Sequence, residues 1–256
     1  MPVLFSDIDN TLIQSHRHIY HGKKVWVEYL NGHEQSYMPQ NTYDYFRSQN
    51  WLKVIPVTTR TKIQYERLSD LSNSLGWDIA LICNGAILLK NGKEDCSWTE
   101  ESLHLSMKDR DSFVWLCQKA HKIVDSSQIV EIPDIMFYVK TEKAEEIHNY
   151  LFEIMDSEHI EIHKDARKVY CFPKSLNKGM AIERMMKRLG RTSCIAAGDS
   201  EFDISMLEKA SIALCPEELS KNISIHRRVI PCADIFPDTI CHELEKIKRE
   251  GNYSDY

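Results

Sequence analysis

The sequence predicts an α/β protein: an open, Rossmann-like parallel sheet whose chain is interrupted by an inserted α+β segment. Three observations lead there. In the first and last thirds of the chain, short apolar runs that stop at polar or acidic residues alternate with helical spacings. The middle third reads helix–strand–strand twice over, the pattern of a small sheet with one open face. Strands divided between the two ends of a chain meet in one sheet, so residues 1–86 and 173–256 are assigned to the core and 87–172 to the insertion.

The elements follow in order. Val3–Ser6 is an apolar run halted by acidic residues, as a buried strand ends. Residues 25–37 read as a hairpin turned at Asn31-Gly32, and 41–48 as a short helix behind Pro39. Residues 52–57 form the next buried strand. Residues 61–75 have helical spacing through Ile63, Leu68, Leu71 and Leu75 and stop at Gly76. A third strand, 79–83, precedes Asn84-Gly85. In the middle third, an apolar piece at 87–89 and a turn at Asn91-Gly92 lead to a helix over 106–124. Strands at 128–132 and 135–140, a helix at 144–155, and strands at 159–163 and 168–172 complete the insertion, which Pro173 closes. The last third gives a helix over Lys178–Leu189, a strand at 193–197, a helix at 203–209, strands at 211–214 and 227–230, a helix at 239–249 and a loose tail, 251–256.

Composition narrows the function. Of 256 residues, 27% are charged and 43% hydrophobic, which excludes wholesale disorder. The chain carries 32 basic and 38 acidic side chains, net −6, a poor balance for nucleic acid or an anionic membrane. No apolar run reaches the roughly 18 residues of a membrane span. The opening Met-Pro-Val-Leu-Phe-Ser-Asp lacks the basic start and apolar stretch of a secretory leader. The eight cysteines are scattered, without a C-x-x-C pair, which reads as reduced, mostly buried thiols in a cytoplasmic protein.

Four segments carry chemistry, and each follows or faces a predicted strand end, where open α/β sheets bind their ligands. Asp7-Ile8-Asp9-Asn10-Thr11 places two carboxylates two residues apart just past a strand; in extended geometry both leave on the same side. Such a pair repels unless a cation or a shared proton intervenes. It suits phosphoryl transfer, where one carboxylate attacks phosphorus and the other moves the leaving-group proton; the alternative is an Asp-rich turn. Thr58-Thr59-Arg60 offers a hydroxyl and backbone N–H groups to a phosphate oxygen, or simply caps the next helix. Lys178 opens a helix, where a cation opposes the dipole unless an anion is near. Gly198-Asp199-Ser200-Glu201-Phe202-Asp203 adds two carboxylates at a tight turn, oxygen ligands that suit Mg²⁺.

Taken in this order, the segments resemble the haloacid dehalogenase superfamily of phosphatases along the whole chain: D-x-D-x-T at Asp7, the strand-end Thr58, Lys178, and G-D-x-x-x-D from Gly198 to Asp203. Asn84-Gly85-Ala86 and the insertion's position resemble the subgroup with a C2B-type α/β cap, including the phosphatases of sucrose phosphate and mannosyl phosphoglycerate. The resemblance implies a nucleophile at Asp7, an acid–base group at Asp9, and phosphoryl contacts from Thr58, Thr59 and Lys178. It implies Mg²⁺ held by Asp7, Asp199 and Asp203, with a backbone carbonyl from Asp9. Arg60, Asn84 and Gly85 are the implied substrate contacts. The implied partner is a small phosphate ester such as a sugar phosphate, under a lid that excludes water. A phosphomutase and a non-catalytic phospho-ligand sensor are the alternatives.

Two features depart from that subgroup. Thr59 stands where capped relatives carry glycine, and the hairpin at 25–37 is long. Elsewhere, His16, His18 and His21 offer a metal site or a solvated loop. Trp26, Tyr29 and Tyr37 offer a sugar platform or cross-strand packing. Phe113, Trp115 and Leu116 read as core of the insertion, and Tyr138, Lys140, Arg167 and Lys168 lie on or beside its strands.

Overall fold

The computed structural model describes residues 1–155, 158–224, 228–232 and 236–251. Arg227 and the tail beyond 251 lie outside them. The chain divides into two compact units, Met1–Glu94 with Lys178–Tyr256, and Asp95–Asn177.

The first unit starts with β1, Val3–Ser6, buried along its whole length, as a strand covered on both faces must be. The short β2, Gln14–Ser15, then pairs with a hairpin of β3, Lys24–Leu30, and β4, His33–Pro39, in the order β2-β4-β3. Asn31 and Gly32 turn the hairpin with φ of 52° and 78°, the positive pair that a type I′ connection demands. Its register slips at Trp26/Glu28 and again at Glu28/Tyr29. As a result the neighbours Val27 and Glu28 are both buried, whereas a regular strand sends neighbours to opposite faces. Trp26 packs edge-on against Tyr37, while Tyr29 is exposed.

Helix α1, Gln40–Ser48, leads to β5, Lys53–Pro56, which runs parallel to β1. The single helix expected over 61–75 is two: α2, Lys62–Glu66, and α3, Ser69–Leu75. A reciprocal capping box between Thr61 and Gln64 sets the start of α2. The buried positions then fall at Tyr65, Leu68 and Leu71, three residues apart. That spacing is tighter than the 3.6 of a continuous helix, and Ile63 is left 78% exposed. Strand β6, Ile79–Ile82, touches the main sheet through one parallel bridge, Val57 to Leu81. Its main partner is antiparallel, β7, Ile87–Lys90, followed by β8, Lys93–Glu94. Residues 87–94 therefore stay with the first unit, and the second begins at Asp95 and ends at Asn177.

The second unit opens with α4, Cys96–Ser106, a helix without a clear apolar period in the sequence. Its buried stripe is Trp98, Ser102 and Ser106, so two of three inward positions are serines and the apolar period is hidden. Ser102 and Ser106 satisfy their hydroxyls on carbonyls of their own helix. A 3₁₀ turn, Met107–Asp109, joins it to α5, Arg110–Ile123. Then follow β9, Ile129–Ile132, β10, Met136–Lys140, α6, Ala144–Ile154, β11, Ile160–Asp165, and β12, Lys168–Pro173. The strands form an antiparallel sheet in the order β11-β12-β10-β9. Phe113, Leu116 and Ala120 of α5 and Ile147 and Leu151 of α6 bury against Phe137, Val139, Val169 and Cys171. Trp115, expected in this core, is 41% exposed on the far side of α5. Lys168 donates to the Tyr170 hydroxyl and lies over the rings of Tyr138 and Tyr170; Arg167 pairs with Glu142, and Lys140 is exposed.

The chain returns to the first unit through α7, Lys178–Leu189, and β13, Ile195–Ala197. The helix expected at 203–209 is a 3₁₀ turn, Glu201–Asp203, and one turn of helix α8, Ile204–Leu207. Strand β14, Ile212–Pro216, α9, Glu217–Ser220, β15, Arg228–Cys232, and α10, Phe236–Glu250, complete it. The five-stranded parallel sheet has the order β15-β14-β13-β1-β5, the Rossmann-like core that the sequence predicts. Ser6 stands level with Ala197 on one side and Pro56 on the other. The segments after β13, β1 and β5 therefore leave the sheet side by side. Among the described residues, Cys83, Cys117, Cys171, Cys194, Cys215 and Cys241 are buried free thiols and Cys96 is exposed. No described helix is long and apolar enough to cross a membrane.

Candidate active site

Asp7 is the first residue past β1, and its N–H is held by the carbonyl of Ala197 at 2.9 Å. A tight turn follows, closed by the N–H groups of Leu12 and Ile13 on the carbonyl of Ile8. Asn10 sits in it at φ 59°, a conformation that asparagine tolerates. Across this turn the two carboxylates take different partners.

Asp7 faces Lys178. The Lys178 ammonium donates to Asp7 Oδ1 and to Asp203 Oδ1, each at 2.6 Å, and its side chain is 1% exposed. The anions that justify a lysine at the start of α7 are thus two aspartates of the protein itself. Asp203 Oδ2 accepts from the N–H groups of Asp199 and Ser200 and from the Ser200 hydroxyl. That oxygen braces the turn, while Asp203 Oδ1 faces Lys178. Asp199 accepts a 2.7 Å hydrogen bond from Thr11, 188 positions away in the chain. Two glycines allow this closeness. A Cβ on Gly198 would stand 2.3 Å from Asp203 Cβ, and one on Gly179 would stand 2.3 Å from the Ser205 carbonyl oxygen.

The electrostatics follow from the geometry. Burial raises the Asp7 carboxyl well above its ordinary value; Lys178 opposes the shift, but Asp203, Asp199 and Asp9 add to it. Burial, and then the charge of Asp203, pushes Asp199 up to about 7 against the Thr11 hydrogen bond and Lys178. Burial disfavours the charge on Lys178, yet Asp203 and Asp7 outweigh it and raise its pKa. The centre has more negative charge than one lysine satisfies.

That surplus bears on the metal. One oxygen from each of Asp7, Asp199 and Asp203 lies within 4.8 Å of the other two. An all-oxygen set on repelling carboxylates fits a hard divalent cation such as Mg²⁺. The carboxylate of Asp9 is outside the group. His16, His18 and His21 are exposed and form no part of a ligand cluster among the described residues.

The second loop is built by backbone. Thr58 is buried, its N–H bonded to Leu81 and its hydroxyl oxygen accepting from the Arg60 N–H at 3.2 Å. The turn after β6 holds the same loop: Cys83 donates to the Arg60 carbonyl and Asn84 to the Thr58 carbonyl, each at 2.9 Å. Cys83 and Asn84 have φ of 50° and 59°, with Gly85 at 90°. Asn84 and Gly85, expected to meet substrate, are buried; the Asn84 N–H braces the Thr58 loop, and the Gly85 N–H turns back on the Ile82 carbonyl. Thr59 is partly exposed beside it.

Arg60 departs from expectation more sharply. Its Nε and Nη2 donate to the two oxygens of Asp9, both at 2.7 Å. Nη1 and Nη2 donate to the two oxygens of Glu28 at 3.0 and 2.9 Å, and Nη1 also reaches the Gln64 carbonyl at 3.2 Å. A guanidinium has five N–H donors, and all are used on the protein, so none is left for a substrate. Glu28 was not foreseen. Its signal is a carboxylate between Val27 and Tyr29 in an apolar strand pattern, a place for a charge only if it is paired.

Comparison with known proteins accords with this geometry. The model of a family described as haloacid dehalogenase-like hydrolase matches residues 117–226. A haloacid dehalogenase subclass IIB sugar phosphatase superposes with a TM-score of 0.64 at 17% identity, covering 97% of this chain and 99% of its own. The sucrose-phosphatase of Synechocystis sp. PCC6803, solved with sucrose and phosphate, gives 0.61 at 15% identity, covering 96% and 98%. A Thermoplasma acidophilum protein gives 0.62 at 13%, covering 97% and 99%. The chain has the haloacid dehalogenase fold. No curated protein sequence matches it. Within this fold, the carboxylate centre sits where β13 and β1 end, Lys178 reaches it from the start of α7, and Thr58 follows β5, the strand beside β1.

Proposed function

We propose that the protein is a Mg²⁺-dependent phosphatase of small phosphorylated metabolites, with sugar phosphates as the substrate class, working through an aspartyl-phosphate on Asp7. The observation that carries this reading is the centre in which Asp7 meets Lys178, Asp199 and Asp203 beyond two adjacent strand ends. Residues Met1–Glu94 and Lys178–Tyr256 are the catalytic core, and Asp95–Asn177 is the cap.

In the first step an oxygen of Asp7 attacks phosphorus and the bond to the ester oxygen breaks, while Asp9 hands that oxygen a proton. In the second, water attacks phosphorus, Asp9 takes its proton, and inorganic phosphate leaves with Asp7 restored. Lys178 and the Thr58 hydroxyl hold phosphoryl oxygens and spread the charge of the crowded transition state. Asp7, Asp199 and Asp203 would hold Mg²⁺, which when bound offsets the repulsion between a carboxylate nucleophile and a phosphate. The like-charge surplus at the centre supports that assignment.

A panel of sugar phosphates, nucleotides and phosphoglycerates, assayed with Mg²⁺ for inorganic phosphate, tests the reading, with Asp7→Asn as control. Phosphate release that disappears in Asp7→Asn is expected. No release from any member, or full release by the variant, would overturn it. An isomerised sugar phosphate in place of inorganic phosphate would identify a mutase.

A further inference from the structure

We infer that Glu28, far from the acid–base group in sequence and on a separate hairpin, is a positioning residue that fixes Asp9 through Arg60. This deepens the phosphatase reading and rests on it. Four observations carry it.

The Arg60 guanidinium is shared between two carboxylates in fork geometry. Asp9 takes Nε and Nη2, and Glu28 takes Nη1 and Nη2. A planar group gripped along two edges cannot rotate without breaking a pair of bonds. Its orientation is therefore set on the side of Glu28, and Asp9 reads that orientation.

Glu28 is itself fixed. It is 4% exposed, accepts from the Ser36 hydroxyl at 2.8 Å and pairs with Arg67 at 3.2 Å. Asp9, by contrast, has a side chain 45% exposed. The rigid end of the chain of contacts is the hairpin; the open end is the reacting group.

The hairpin is shaped for this. The paired register slips around Glu28 turn its side chain inward beside Val27, and the register recovers at once. Compensating irregularities around one residue re-aim that side chain and leave the rest of the hairpin regular.

Finally, the arrangement accounts for all five donors of the Arg60 guanidinium within the protein. An arginine 8% exposed with one carboxylate would leave donors buried and unpaired. Glu28 takes those donors. Misplacing a catalytic group by about 1 Å is enough to cost on the order of a hundredfold in rate.

A hairpin tie with no bearing on Asp9 would affect all substrates alike. Positioning of a proton donor would not, because 4-nitrophenyl phosphate leaves as a stable phenolate while phenyl phosphate needs more help from the acid. The test compares kcat/KM for these two compounds in the wild type, Glu28→Gln and Glu28→Asp, with Mg²⁺ present. For Glu28→Gln the expected loss is about thirtyfold or more with phenyl phosphate and under about threefold with 4-nitrophenyl phosphate, within the range of general acid catalysis. Glu28→Asp, which keeps the charge but shortens the reach, gives the same bias at smaller size and covers the case in which the glutamine variant does not fold. In an Asp9→Asn background, either substitution adds no further loss with phenyl phosphate. Equal losses on both compounds, or none, would overturn the inference while leaving the phosphatase standing. Hydrolysis that survives Asp7→Asn would instead remove the phosphatase reading on which it rests.

Discussion

The ammonium of Lys178 lies 2.6 Å from Asp7 Oδ1 and equally close to Asp203, in a place where its side chain is 1% exposed. Three carboxylates and one lysine share a buried volume, so removing different members has opposite effects on stability.

Asp7→Asn removes a carboxyl whose folded-state pKa is raised well above 3.8. A raised acid binds its proton more tightly in the folded state, so its ionisation opposes folding as pH climbs past the unfolded value. The variant should therefore abolish phosphate release and melt no lower, and in metal-free buffer at pH 7 higher, than the wild type. Paired calorimetry and phosphate assays check both halves; a variant that melts well below the wild type contradicts the electrostatic account.

Lys178→Met goes the other way. It strands Asp7 and Asp203 beside each other without their shared cation. Breaking a buried pair from one side costs about 3–5 kcal/mol. A fall of that order in urea-unfolding stability is expected at pH 7, along with loss of turnover. The penalty should shrink as pH falls and the abandoned carboxylates protonate.

Much of this centre was legible in the sequence because its pieces are local. Asp7, Lys178 and Asp199 each stand at the edge of an apolar strand run or a helix start, and strand ends converge in an open sheet whatever the loops do. What was hidden depends on tertiary pairing. Arg60 reads as a free cation beside a phosphate site until Glu28 arrives from another hairpin. Helix α4 was missed because Ser102 and Ser106 occupy its buried stripe and leave Trp98 as its sole large apolar anchor. The break at Arg67–Leu68 was missed because Ile63 carries the right residue type on the wrong face. In the first two cases a side chain satisfies its polar groups in a way that composition does not reveal, and in the third the apolar period runs past a break that only the capping box marks.

Magnesium should stabilise the protein through the same carboxylates. Ligands that bind only the folded state stabilise by about 2.7 kcal/mol at a hundred times Kd. Melting temperature should rise with added Mg²⁺ and return on chelation, and Asp199→Asn should flatten the response. Asp199 must release its proton to bind a cation, and its pKa is pushed up to about 7. Affinity measured by the melting shift should therefore weaken as pH drops below about 7, approaching tenfold per unit from this group alone. A shift equal at pH 6 and pH 8 would contradict that role for Asp199.

Gly179→Ala tests the seat of Lys178 without touching a charge. The added methyl would stand 2.3 Å from the carbonyl oxygen of Ser205, a backbone atom that cannot swing aside. Alanine is otherwise the better helix former, so propensity alone predicts a gain. Overpacking of about 1–3 kcal/mol should win instead, by driving the start of α7 away from α8. The substitution should lower the unfolding midpoint and reduce turnover together. An alanine variant that is more stable than the wild type would mean that α7 and α8 are not in the close contact described.

Asp109 provides a pH test in the second unit, away from any metal ligand. It is 1% exposed, accepts from the Ser175 hydroxyl at 2.7 Å and its N–H at 3.3 Å, and meets His159 Nδ1 at 3.0 Å. Burial alone would raise its carboxyl, but the Ser175 and His159 hydrogen bonds outweigh burial and hold it below 3.8. A depressed acid stabilises the fold at every pH above its unfolded value and loses that contribution as pH falls through the depressed one. Hydrogen bonds to a charged group are worth about 1.5–3 kcal/mol, and Asp109→Asn should cost about that much in urea unfolding at pH 7 and at pH 5. As pH falls through the depressed value the wild type protonates Asp109 and the two proteins should converge. A difference that stays constant down to pH 2 would mean that packing around Asp109, rather than its charge, ties the turn after α4 to the segment behind β12.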